Sequence, residues 1–139
     1  MRLVRKIRAH DVFVPEIDEE HRLICQTARE FQQAIESNAS RLQMLEILHR
    51  LIGLAQTHFA HEEALMRTHR YSLREWHAQQ HDTVRKKVRR FAPLVEADDR
   101  EAAREFCAFL SAWVDDHTAV ADRMMGAFIR NQRRSSHAA

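Results

Sequence analysis

An all-α fold, in the form of an up-down-up-down antiparallel four-helix bundle, is the prediction from this sequence, and three observations carry it. Only two glycines and two prolines punctuate 139 residues, too few for the turns of a sheet protein. The chain is 45% apolar and 30% charged with few β-branched runs, a composition that suits helices. Apolar residues recur at steps of four and three along four segments, and the short breaks between them force neighbouring helices to run antiparallel. A chain of this length fits one domain that buries roughly two-thirds of its unfolded surface.

Each element has its own signal. Residues 1–17 read as an N-terminal arm. Pro15, with Asp18 as N-cap, opens a first helix over 18–37, and "SNAS" ends it. Ser40 with Gln43 three residues on forms a capping box for a second helix over 40–69. Ser72 with Glu75 repeats the signature for a third over 72–92, which Pro93 should end or kink near Ala92. Asp98 with Glu101 gives the acidic variant for a fourth over 98–131, leaving 132–139 as a frayed, flexible tail.

Composition also excludes function classes. A net charge of +2 gives no overall field for nucleic acid. The basic start "MRLVRKIRAH" is not followed by the apolar core of a secretory signal, and no stretch is long enough to span a membrane, so a cytoplasmic protein is expected. Cys25 and Cys107 lack CxxC spacing and read as reduced, buried thiols. The run "RKKVRR", with Arg130, Arg133 and Arg134, reads as a solvated helix face without aromatics interleaved for base stacking. No nucleic-acid partner is expected, and the basic face is left open to a protein partner.

Ten histidines are the compositional outlier. The inward seams read Ile17, His21, Ile24, Ala28, Phe31 and Ile35; then Met44, Leu48, Leu51, Ala55, His58, Glu62 and Leu65. The third helix gives His77, His81, Val84, Val88 and Phe91, and the fourth Phe106, Leu110, Trp113, His117, Val120 and Met124. An unpartnered buried imidazole or carboxylate costs several kcal/mol, so five histidines and a glutamate on four seams need a common explanation. With antiparallel helices they converge at one end. Convergent imidazoles and carboxylates inside a bundle point to metal, and their number exceeds what one ion can hold.

Asp122 lies five residues after His117, about 140° away on a regular helix. If both are ligands, the helix must widen locally as a π-bulge. Ile24, Trp113 and the methyl-bearing neighbours of His117, Thr118 among them, would wall the site and exclude water. His10, His49, His61, His69 and His137 lie off the seams and read as surface residues. Trp76 reads as flank packing, Gly53 as a point of close helix approach, and Met44, Met66, Met124 and Met125 as core filler.

The motifs "IDEEHRLI" with His21, "HFAHE" with His58 and Glu62, "HAQQH" with His77 and His81, and "WVDDHTAVAD" with His117 and Asp122 resemble those of the hemerythrins. The likeness runs from about Phe13 to Ile129, and the single-domain length is similar to that of a bacteriohemerythrin. It implies a non-haem di-iron centre of two Fe ions with an oxo or hydroxo bridge. His77, His81 and His117 would bind one iron, His21 and His58 the other, with Glu62 and Asp122 bridging. It further implies reversible binding of dioxygen, as carrier, store or sensor, at an open position on the second iron. The pattern departs at Thr118, where a larger aliphatic residue is common, at Phe13, where many relatives have tryptophan, and at Ser72, which replaces a frequent proline. The alternatives are a di-iron enzyme acting on peroxide, nitric oxide or ferrous iron, and a metal- or redox-sensing signalling module. No base, nucleophile or substrate pocket stands outside the metal shell, so an enzyme is not expected.

Overall fold

The computed structural model describes residues 10–138, with side chains from His10 to Ser136. Most of the basic N-terminal stretch and the His137 side chain lie outside that range. Helix α1 spans Pro15–Glu36, α2 Arg41–Thr68, α3 Arg74–Glu96 and α4 Arg100–His117. A π-helical turn, Thr118–Asp122, then joins α4 without a break to α5, Arg123–Ala138. Among the described residues there are four helical rods and no strand. α1 packs on α2, α2 on α3, α3 on α4, and α4 back on α1, as in a helical bundle.

The caps explain where the sequence reading was displaced. α1 begins at Pro15, where the missing N–H costs nothing. Asp18 does not cap it; its buried Oδ1 accepts the Val12 N–H at 2.7 Å and pins the arm to the bundle. The Ser40/Gln43 capping box is present on α2. On α3 the Ser72/Glu75 box is absent, and Leu73 stands at the N-cap without a side-chain bond. On α4 the capping carboxylate is Asp99, accepting the Ala102 N–H at 2.9 Å, because Asp98 is already in the left-handed conformation that ends α3 (φ 66°). Asn38 and Arg70 take the same conformation after α1 and α2. At all three ends the next N–H reaches back to a carbonyl of the last turn: Ala39 to Ala34, Tyr71 to Met66, Asp99 to Leu94.

Pro93 does not break α3. Its ring faces solvent, and buried Val95 holds the last turn against the core, so the loss of one N–H is tolerated. At the C-terminus the backbone stays helical through Ala138, past the expected end at Asn131.

Among the described residues, two apolar clusters fill the interior. The larger gathers Phe31, Leu48, Leu51, Phe91 and Phe106. The smaller gathers Val12, Val14, Ile17, Met66, Tyr71, Met125 and Ile129, tying the arm to α5. Val120 and Met124, expected inward, are 53% and 43% exposed, while Ala121, Met125 and Ile129 are fully buried. The π turn adds a residue to one turn and moves the seam on by one position. Cys25 is buried and Cys107 half-buried, both free, and burial pushes both thiols up to about 11.

Gly126 is where close approach is required: a Cβ there would meet the Val12 Cβ and carbonyl oxygen, each at 2.9 Å. Gly53, expected to serve that purpose, is exposed with nothing within 4 Å of its Cβ position. Gly53→Ala is therefore expected to stabilise the protein by about 1 kcal/mol, the helix-propensity difference. Gly126→Ala is expected to destabilise it by about 1–3 kcal/mol through overpacking. Urea unfolding of the two variants beside the parent checks both signs.

Candidate metal centre

Four rods deliver seven polar side chains to one place. His21 comes from α1, His58 and Glu62 from α2, His77 and His81 from α3, His117 from the end of α4 and Asp122 from the π turn; all are buried. Their ligand atoms form two sets, within each of which all lie inside 4.8 Å: Glu62, His77, His81, His117 and Asp122, and His21, His58, Glu62 and Asp122. The structure thus brings together every residue singled out as a ligand. His117 and Asp122 converge because the turn between them is π-helical, as their spacing required.

The two carboxylates divide their oxygens between the sets. Glu62 turns Oε1 toward the Nε2 atoms of His77 (3.4 Å) and His81 (3.0 Å), and Oε2 toward those of His58 (3.3 Å) and His21 (3.8 Å). Asp122 turns Oδ1 toward Nε2 of His77 (3.1 Å) and His117 (2.9 Å), and Oδ2 toward His21 (3.1 Å). Each carboxylate faces the three-histidine group with one oxygen and the two-histidine group with the other. Yet Glu62 Oε2, Asp122 Oδ1 and the Nε2 atoms of His81 and His117 make no aligned hydrogen bond. Buried polar atoms without partners are costly, and lone pairs that converge without bonding one another are the arrangement a metal ion satisfies. The donor set fits transition metals.

The outer nitrogens are fixed by residues that the sequence reading missed. His58 Nδ1–H donates to Glu20 Oε1 at 2.7 Å, His81 Nδ1–H to Glu63 Oε2 at 2.7 Å, and His117 Nδ1–H to Gln80 Oε1 at 2.7 Å. Each acceptor sits beside a cluster residue of its own helix but serves the imidazole of the next helix. His21 Nδ1–H donates to the carbonyl of His10 at 3.3 Å, whereas His77 Nδ1 makes no hydrogen bond. The only signal in sequence was a polar neighbour beside Glu62, His21 and His81, which does not say which helix it serves. Such partners set the tautomer and strengthen the donor nitrogen.

His10 corrects its reading as a surface residue: it is buried, with Nε2 3.1 Å from Asp115 Oδ1 and Nδ1 facing Cys25 Sγ at 3.7 Å. His49 is exposed and His69 half-buried; half-buried His61 donates to the second oxygen of Glu20 at 2.8 Å. Trp76 is 39% exposed. Aromatic rings back the cluster: Trp113 stacks on His117 (4.2 Å between centroids) and Phe59 on His81 (4.1 Å). An internal cavity of about 60 Å³ opens beside it, walled by Ile24, Trp113 and Thr118 among largely apolar neighbours and reaching to Phe31 and Phe106.

Charge in the cluster is coupled. Burial disfavours a charged His58, but the Glu62 charge and the bonds to Glu20 and Glu62 outweigh it and push the group up to about 10. His77 is pushed up to about 9, against burial, by Asp122 and Glu62. Burial raises Glu62, and burial and the Glu62 charge raise Asp122, yet the surrounding imidazoles hold both carboxyls far below their ordinary range. His117 is lowered, with burial as the largest cause.

These features define a class: a helical-bundle protein with a buried histidine and carboxylate cluster able to bind metal. Residues 12–129 match the model of the hemerythrin HHE cation-binding domain, and the chain belongs to the hemerythrin family. No curated protein and no solved structure matches it. No helix among the described residues is long and apolar enough to cross a membrane.

The pH dependence of the metal-free protein follows. His58 and His77 are raised in the folded state, so their contribution is full below the unfolded value of about 6.5 and is lost as pH rises through 9 to 10. Metal-free protein is expected to lose stability over that alkaline window, and metal binding at pH 7 to release protons as the imidazoles become ligands. Thermal melts across pH and proton release on metal addition in weak buffer check the two parts.

Proposed function

We propose that the cluster holds two iron ions and binds dioxygen reversibly, making this chain an oxygen carrier, store or sensor built as an up-down-up-down bundle. The observation that carries the reading is the division of Glu62 and Asp122, one oxygen toward each histidine group. On this reading His77, His81 and His117 hold one ion, His21 and His58 the other, and Glu62 and Asp122 bridge them. A ferrous pair, when bound, supplies the electrons that reversible dioxygen binding draws on. The second set has one protein donor fewer, and both of its histidines, His21 and His58, wall the apolar cavity, against His117 alone of the three in the first set, which supports ligand binding at the less crowded ion.

The chain's own residues do the rest. Neutral imidazoles bring less negative charge than an all-carboxylate site and so favour the divalent state. Ile24, Trp113 and Thr118 keep water and its protons from the ligand side. Dioxygen is the partner, and the protein acts by binding rather than by turnover.

Anaerobic loading with ferrous iron is expected to give two ions per chain. Admitting and removing oxygen should make a visible charge-transfer absorption appear and disappear. His58→Ala is expected to retain one tightly held ion, and Glu62→Ala to weaken both. Sustained consumption of peroxide or nitric oxide over many turnovers, without a reversible oxygen spectrum, would overturn the carrier reading in favour of an enzyme.

A further inference from the structure

Arg85 opens the basic run of α3, read in sequence as a solvated face. It lies one turn after His81, and its side chain is only 29% exposed. Its Nη2 donates at 3.0 Å to Glu63 Oε2, the same oxygen that accepts the His81 Nδ1–H at 2.7 Å. Nη1 is anchored on Asp82 Oδ1 at 2.9 Å. The guanidinium carbon also stands 5.5 Å from the centre of the Phe59 ring, whose plane is within 13° of that of His81, 4.1 Å away. One cation thus reaches His81 by two routes, through the carboxylate on its Nδ1 edge and through the ring stacked on its face.

The other imidazoles are held differently. Glu20, which accepts from His58, has His61 as its second partner, and His117 is held by the neutral amide of Gln80. A carboxylate bonded to Nδ1–H draws the proton toward itself and makes the opposite nitrogen a stronger, more anionic donor. A guanidinium bonded to the same oxygen withdraws part of that charge.

We infer that Arg85 is a positioning residue for His81: it fixes the ring through Glu63 and Phe59 and limits the pull of Glu63 on the Nδ1 proton. The charge that Glu63 passes through the ring to His81 Nε2 is thereby limited, which favours the divalent state of the ion that His81 would hold. This inference rests on the proposed two-metal reading.

The test pairs two substitutions with opposite expected signs, in full-length protein loaded with ferrous iron. Arg85→Met leaves Glu63 unopposed, and its iron centre is expected to shift to lower reduction potential, with oxidation in air faster by about tenfold. Glu63→Gln removes the pull, and the potential is expected to rise. Arg85→Lys keeps the charge but not the flat two-pronged contact and should fall between parent and Arg85→Met. A purely structural role would lower the melting temperature without separating the two potentials by sign. Equal potentials in Arg85→Met and parent, or shifts of the same sign in Arg85→Met and Glu63→Gln, would overturn the inference while leaving the metal centre standing. Failure of the parent to take up iron would instead remove the two-metal reading and this inference with it.

Discussion

The constraint on which this structure depends is orientation: five imidazoles must each present one nitrogen to a common dry interior, and in four of them the other nitrogen is held from outside. A histidine ring in an apolar bundle has no intrinsic reason to choose one face. Here the choice is made between helices. Glu20 on α1 holds His58 on α2, Glu63 on α2 holds His81 on α3, and Gln80 on α3 holds His117 at the end of α4. The cluster is therefore a property of the assembled bundle, because the outer nitrogens of these three rings are held from the preceding helix. The charged pairs inside would be a poor bargain as ion pairs alone, since removing charges from water costs several kcal/mol per ion. Their converging, unbonded lone pairs make sense as a metal shell.

The π turn is the second condition, and it acts in two directions. It lets His117 and Asp122 face the same point, and it moves every later residue of the rod on by one position. Met125 and Ile129 then pack against Val12, Val14 and Ile17, with Gly126 small enough to admit the arm. Arg130 donates to the Val12 carbonyl, and Arg133 pairs with Glu16 at 2.8 Å, so cations that looked free in sequence close the arm over this end. The irregularity that completes the cluster also builds the smaller core beside it.

Much of this was legible in the sequence because helical periodicity is strict. A residue on a seam either continues the step of three and four or breaks it, so buried polar residues such as His58 and Glu62 stand out. The π turn was legible for the same reason: a five-residue spacing does not fit regular geometry. The reading failed where that periodicity was carried past the irregular turn, as at Val120 and Met124, and where left-handed residues at Arg70 and Asp98 displaced the expected Ser72 and Asp98 caps. It failed again for His10, whose burial depends on how the arm folds back over Asp115 and Cys25. The acceptors Glu20, Glu63 and Gln80 were invisible because polar residues beside a seam look alike until the neighbouring helix is in place.

The internal cavity adds volume to the variables this protein responds to. Close-packed interiors are nearly incompressible, but a void of about 60 Å³ between Phe31, Phe106 and the cluster disappears when the bundle unfolds or floods. Hydrostatic pressure should therefore act first where packing is open, between the apolar middle of the bundle and the inner face of the cluster. That gap is the soft spot through which compression would undo the fold.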